Sequence, residues 1–103
     1  MEELELKMRQ DELKSKIHVI VGDIPAGFVL TYGIVAALAG APGCVRLAAR
    51  IISSSDWENC HRVVNSVGRT APGWAEQKTL LVAEGVTFKE SGNVDLKRHL
   101  WNI

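Results

Sequence analysis

The sequence predicts a mostly helical fold with a small β element and a helix-turn-helix within it. Apolar residues recur at helical spacing through the first stretch of the chain. Two short helical segments then flank a tight break at Gly40-Ala41-Pro42-Gly43. The extended runs are brief, Arg62 to Asn65 and Val86 to Phe88.

Each element has its own signal. In the first helix Leu6, Leu13, Ile17, Ile20 and Ile24 alternate with Glu, Lys and Asp, and Gly22 and Pro25 end it. Thr31 can cap a second helix from Tyr32 to about Ala39, because a threonine oxygen satisfies a free N–H of the first turn. A third helix runs from Cys44 to Ile52 and turns Val45, Ala48, Ala49 and Ile52 inward. A pair of helices this short is equally an ordinary helical hairpin. In a DNA-binding helix-turn-helix the third helix of the chain would meet the groove. Ser53 to Asp56 is a loop, and the run at Arg62 to Asn65 closes in a turn at Val67-Gly68. A fourth helix covers Ala75 to Glu84, with Leu80, Leu81 and Ala83 as apolar surface, and Gly85 stops it. A last short turn or helix carries Leu96, Leu100 and Trp101. Trp57, Trp74 and Trp101 read as core or rim residues, and Trp74, after Pro72-Gly73, can line the mouth of a pocket.

Composition narrows the function. A chain of 103 residues fits one domain, here 1-103, with a modest core. No long apolar run suggests a membrane span, and the acidic N-terminus lacks a signal-peptide core. A cytoplasmic monomer is expected. Cys44 and Cys60 are too few for a disulfide framework and read as free thiols. No metal site and no cofactor are expected. Twelve Lys and Arg balance twelve Asp and Glu, which argues against binding nucleic acid by bulk charge. A local basic face remains open, since Arg46, Arg50, Arg62, Arg69 and Lys78 cluster mid-chain against Asp56, Glu58 and Glu76.

Cys60-His61-Arg62-Val63 carries the chemistry. A thiol is nucleophilic as thiolate, and neighbouring cationic or imidazole groups favour that form. By itself the tetrapeptide is a weak signal, because a buried cysteine usually only packs.

Taken together, Ile24-Pro25-Ala26-Gly27, Thr31-Tyr32-Gly33, Ala37-Leu38-Ala39-Gly40 with Pro42 and Arg46, Cys60-His61-Arg62-Val63-Val64, and Leu80-Leu81 with Glu84-Gly85 resemble the active-site domain of the O6-alkylguanine-DNA alkyltransferase family. The tail, from Gly92-Asn93-Val94-Asp95-Leu96 to Leu100-Trp101, is similar to its small single-domain branch, the alkyltransferase-like proteins. The resemblance implies a winged-helix-like domain that binds duplex DNA containing O6-alkylguanine and flips the damaged base out. Arg46 matches the arginine that fills the gap in the stack, and Tyr32 the tyrosine that helps rotate the nucleotide. Arg50 and Arg62 are expected at the DNA, and Arg62 also reads as a brace of its loop through hydrogen bonds. Cys60 matches the alkyl acceptor, with His61 as its base, directly or through water, and Glu84 orienting the imidazole. Two functions follow. One is suicidal transfer of the alkyl group to Cys60; the alternative is a non-catalytic lesion sensor that recruits other repair proteins.

The chain also departs from the family pattern. Asn59 stands where proline usually precedes the cysteine, and Ser55 where asparagine is usual. Ala49-Arg50 replaces a Gly pair, and Arg69 to Trp74 replaces a Tyr-Ser-Gly-Gly type loop. These changes fall on the pocket and on the polar groups around the thiol.

Overall fold

The computed structural model describes residues 2–102, with side chains from residue 9 onward. Helix α1 spans Glu2–Asp23, strand β1 Leu30–Thr31, helix α2 Tyr32–Leu38 and helix α3 Val45–Ser53. A 3-10 turn at Cys60–Arg62 leads into strand β2, Val63–Val64. Helix α4 (Glu76–Ala83) and helix α5 (Leu96–His99) follow. The mostly helical fold with a small β element is therefore as expected.

Helix α1 packs through Ile17, Val21 and Ile24, which are buried one turn apart. Leu6, also assigned to its inner face, lies outside the described side chains. The helix runs through Gly22 and ends at Asp23. Proline explains the stop, since Pro25 disfavours helical backbone at Ile24.

Strands β1 and β2 pair in parallel, with Leu30 opposite Val63 and Thr31 opposite Val64. This small ladder is the partition between two cores. Leu30 and Val63 join α1, α2 and α3 on one side. Val29 and Val64 join Leu81, Val86 and Val94 on the other. The C-terminal segment runs along β1, where Val29 N–H donates to the His99 carbonyl at 2.8 Å and Trp101 N–H donates to that of Val29 at 2.9 Å. Strand β1 escaped the sequence reading because two residues are too few to show a period.

Helix α2 begins as expected, with Ile34 N–H donating to Thr31 Oγ1 at 3.2 Å. It ends in a Schellman turn: Ala41 N–H donates to the Ala36 carbonyl, Gly40 N–H to that of Ala37, and Gly40 takes φ +84°. Helix α3 then crosses α2, giving the helix-turn-helix. Its buried residues are Ala48 and Ile52. Val45, expected inside, is exposed, because it shares the outer face with Arg46.

Two further expectations change. Leu80 and Ala83 of α4 face outward, and the buried pair is Gln77 and Leu81, spaced one turn apart. Val86 to Phe88 forms no strand; Phe88 makes one antiparallel bridge to Val94 across a turn closed by Lys89 N–H and the Asn93 carbonyl. Trp57, Trp74 and Trp101 are partly buried against the first core. Among the described residues no helix is long and apolar enough to cross a membrane.

Candidate functional site

Three segments converge on Cys60. The Thr31 cap fixes the start of α2 and places Tyr32 over the sulfur side of the sheet. The last turn of α3 brings Ile52, Ser53 and Ser55. The loop from Ala71 to Trp74 forms the opposite lip. Together they enclose a cavity of about 320 Å³ that Cys60 lines, at the small end of the range for ligand pockets. Cys60 is 9% exposed, so the sulfur lies in the pocket wall with only a small part open to it.

The residue before the cysteine sets this geometry. Asn59 has φ +72°, in the left-handed region, and its Nδ2 donates to the Gly22 carbonyl at 3.0 Å. Asparagine tolerates that conformation. Proline, locked near φ −65°, cannot adopt it. The short approach to Cys60 thus turns through a left-handed residue anchored to the end of α1.

Two polar groups lie close to the sulfur. Ser55 Oγ can donate to the Ile52 carbonyl at 2.8 Å. The same oxygen lies 3.1 Å from Cys60 Sγ, and the Ile52 carbonyl lies 3.8 Å away. Between Ser55 Oγ and Cys60 Sγ either atom can donate, because the serine proton can turn to the carbonyl or to the sulfur. No hydrogen bond joins Cys60 to His61.

The imidazole belongs to a different cluster. His61 Nε2 lies 3.1 Å from Glu84 Oε2. Arg62 Nε donates to Glu84 Oε1 at 2.9 Å, its terminal nitrogen reaches the other carboxylate oxygen, and its third donor meets the Ile24 carbonyl at 2.7 Å. These contacts hold the Glu84 carboxyl below its ordinary range, chiefly through the Arg62 hydrogen bonds and with help from His61, against the opposing effect of burial. Glu84 is aimed by the end of α4, where Gly85 (φ +90°) closes a second Schellman turn. The expected His61–Glu84 contact is therefore formed. Arg62, expected at the DNA and also as a brace of its loop, acts as a brace here: its side chain is 13% exposed and its three nitrogens contact Glu84 and Ile24.

Arg46 and Arg50 project from the exposed face of α3. Tyr32 is half-buried, and its phenol is raised above its usual value, first by burial and then by Cys60, against a lowering hydrogen bond from Ser53. Arg69 and Asn65 line an adjoining hollow that shares Tyr32, Ser53, Ala71 and Pro72 with the Cys60 pocket. Lys78 sits 5.1 Å from the Phe88 ring centroid. Among the described residues no three His, Cys, Asp or Glu side chains gather as a metal ion requires.

Gln77 went unnoticed in the sequence. It is fully buried, accepts from Ala71 N–H at 2.7 Å, and donates to the carbonyls of His61 and Val63, each at 3.0 Å. One amide thus ties the pocket lip to the strand behind the cysteine. Its position one turn before Leu81 and two before Glu84 was the available signal.

Comparison with known proteins gives the same outline. Residues 12–86 match the model of the 6-O-methylguanine DNA methyltransferase DNA-binding domain. The chain is 38% identical to the DNA base-flipping protein of Escherichia coli K12, over 91% of this chain and 78% of that one. It is 31% identical to alkyltransferase-like protein 1 of Schizosaccharomyces pombe, over 91% of this chain and 98% of that one. The crystal structure of S. pombe Atl1 in complex with damaged DNA containing O6-carboxymethylguanine superimposes with a TM-score of 0.80 at 30% identity, covering 90% of this chain and 97% of that one. Fold, helix-turn-helix and ordered motifs agree, and the chain belongs to the 6-O-methylguanine DNA methyltransferase family, through its DNA-binding domain.

Proposed function

We propose that this protein binds duplex DNA through the outer face of α3, flips an O6-alkylguanine into the Cys60 pocket and holds it there without taking the alkyl group. The flipped lesion then marks the site for other repair proteins. One observation carries the choice: the imidazole makes no hydrogen bond to Cys60, whose sulfur neighbours Ser55 and the Ile52 carbonyl instead. A sulfur with no hydrogen bond to an imidazole lacks a direct base. The base-flipping and damaged-DNA-binding relatives support the same reading. Arg46 enters the vacated stack, where a planar, permanently charged guanidinium is well suited. Tyr32 stands at the pocket edge to turn the nucleotide. Unstacking costs a few kcal/mol, least for a damaged base.

The second reading is suicidal transfer, favoured by a sulfur that lines the pocket beside the His61–Glu84 pair. There the thiol would lose its proton through water to His61, sulfur would bond the alkyl carbon, and guanine would leave with the O6 electron pair.

A duplex carrying labelled O6-methylguanine separates the two. The proposal expects tight, lesion-selective binding with the label left on DNA. Label on a Cys60 peptide, absent from Cys60→Ser, establishes transfer instead. Equal binding of lesion and plain duplex sinks both.

A further inference from the structure

We infer that Gln77 is a positioning residue of the pocket: its buried amide holds the lip, Ala71 to Trp74, in place opposite Cys60, and so sets how strongly a lesion duplex is preferred over a plain one. This rests on the lesion-binding reading above.

The lip needs such a tie. Ala71, Pro72, Gly73 and Trp74 line the Cys60 pocket. Ala71, Gly73 and Trp74 also line a second hollow, with Thr70 and Lys78, and Ala71 and Pro72 a third, with Arg69. Space adjoins the lip in three places, so close packing alone does not fix it. Trp74 rests against the first core. The backbone hydrogen bonds of the lip are local: Trp74 N–H donates to the Ala71 carbonyl at 3.3 Å, and Gln77 N–H to that of Trp74 at 3.2 Å. Among the described residues, the hydrogen-bonded route from the lip to the strand runs through the Gln77 side chain.

That amide has one workable orientation. Oε1 accepts from Ala71 N–H at 2.7 Å, and Nε2 donates both its protons, to the carbonyls of His61 and Val63, each at 3.0 Å. Turned over, it would set its oxygen against two carbonyls and its NH2 against an N–H. Gln77 is fully buried, so water does not compete for these bonds. His61 directly follows Cys60, and the link therefore fixes the lip relative to the backbone that carries the sulfur. A lip already in place avoids the ordering cost that a loose one incurs when it closes on a flipped base. A plain duplex on the outer face of α3 leaves the pocket empty and gains nothing from it.

The test compares Gln77→Met, which keeps the length of the side chain and removes the amide, with the wild type. Each is titrated with an O6-methylguanine duplex and with the same duplex unmodified, at fixed salt and pH. Lesion affinity is expected to fall about tenfold, and plain-duplex affinity to stay within about twofold. Gln77→Glu keeps an acceptor for Ala71 N–H but turns an oxygen toward the two carbonyls, and the same loss of preference is expected. Equal losses on both duplexes make Gln77 a support of the fold alone and overturn the inference, as does an unchanged preference. Hydrogen exchange on the wild type covers the case in which neither variant folds. Ala71 N–H is expected to be protected like the amides of the neighbouring strand; exchange at the rate of an open loop overturns the tie. If the wild type binds lesion and plain duplex equally, the lesion-binding reading falls and the preference with it, while protection at Ala71 still reports the tie.

Discussion

Arginine serves opposite ends on the two sides of this molecule. On the outer face of α3, Arg46 and Arg50 are exposed, and among the described residues no carboxylate lies within ion-pair distance of either. Behind Cys60, Arg62 is enclosed and spends its donors on Glu84 and the Ile24 carbonyl. An exposed, unpaired cation costs the fold little and is free for a phosphate or a gap in the base stack. An enclosed one, with all three nitrogens engaged, contributes to the fold and has little left for DNA. Residue type alone does not separate binder from brace; the neighbouring carboxylate does.

The largest effect is expected from Glu84→Ala. The substitution strands the Arg62 guanidinium in a confined site and frees His61. Breaking an enclosed pair by removing one partner costs about 3 kcal/mol. Urea unfolding measures it directly. Arg46→Ala, by contrast, should fall within about 0.5 kcal/mol of the wild type, as an exposed substitution does. Comparable losses in the two variants would erase the distinction.

Acid should expose the same brace. The Glu84 carboxyl is lowered in the folded state, so the unfolded chain takes up the proton first as pH falls. Its contribution is complete above the ordinary glutamate range and disappears as pH drops through the lowered folded value. Urea midpoints between neutral and acid pH should therefore fall more steeply in the wild type than in Glu84→Gln. Parallel curves would mean that the Arg62 contacts do not govern Glu84.

The helices were legible in the sequence because each has a local cause. Thr31 caps α2, Gly40 closes it, and Ile17, Val21 and Ile24 recur by turns along α1. The residues at and behind the pocket, Cys60, His61, Glu84 and Tyr32, stand out through the family's ordered motifs. What stayed hidden depends on contacts distant in sequence. Strand β1 exists only because Val63–Val64 lies beside it. Gln77 becomes structural only where Ala71, His61 and Val63 bring it three backbone partners. That Arg62 braces its loop could be read from its chemistry, but its partner Glu84 arrives only with α4. The separation of the sulfur from the neighbouring imidazole needed the fold, which sets Ser55 and the Ile52 carbonyl beside Cys60 and Glu84 beside His61.

On the binding side, Arg46→Ala should weaken lesion-duplex binding about tenfold, the scale of losing one contact that offsets unstacking. Plain-duplex binding should fall less, because there no gap needs filling. Fluorescence competition with the two duplexes at one salt concentration reads both losses. Equal losses would make Arg46 a phosphate contact, with the sequence-independent role that implies.

The smallest change is expected at the residue that first drew notice. In Cys60→Ser a hydroxyl replaces the thiol and can donate to the same two acceptors, Ser55 Oγ and the Ile52 carbonyl. The oxygen is smaller than sulfur, so the lip loses some contact, and a stability change within about 1 kcal/mol follows. If the sulfur is only part of the pocket wall, lesion affinity should stay within about threefold, well under the Arg46→Ala loss. Binding to an O6-methylguanine duplex, followed over hours, adds a second readout: an alkyl acceptor would convert the wild type to a product that no longer releases as fresh protein does, and the serine variant would not change. Matching time courses for the two proteins place Cys60 with the wall residues. Diverging ones move it to the reactive side, and the His61–Glu84 pair would then have to be counted with the chemistry as well as with the brace.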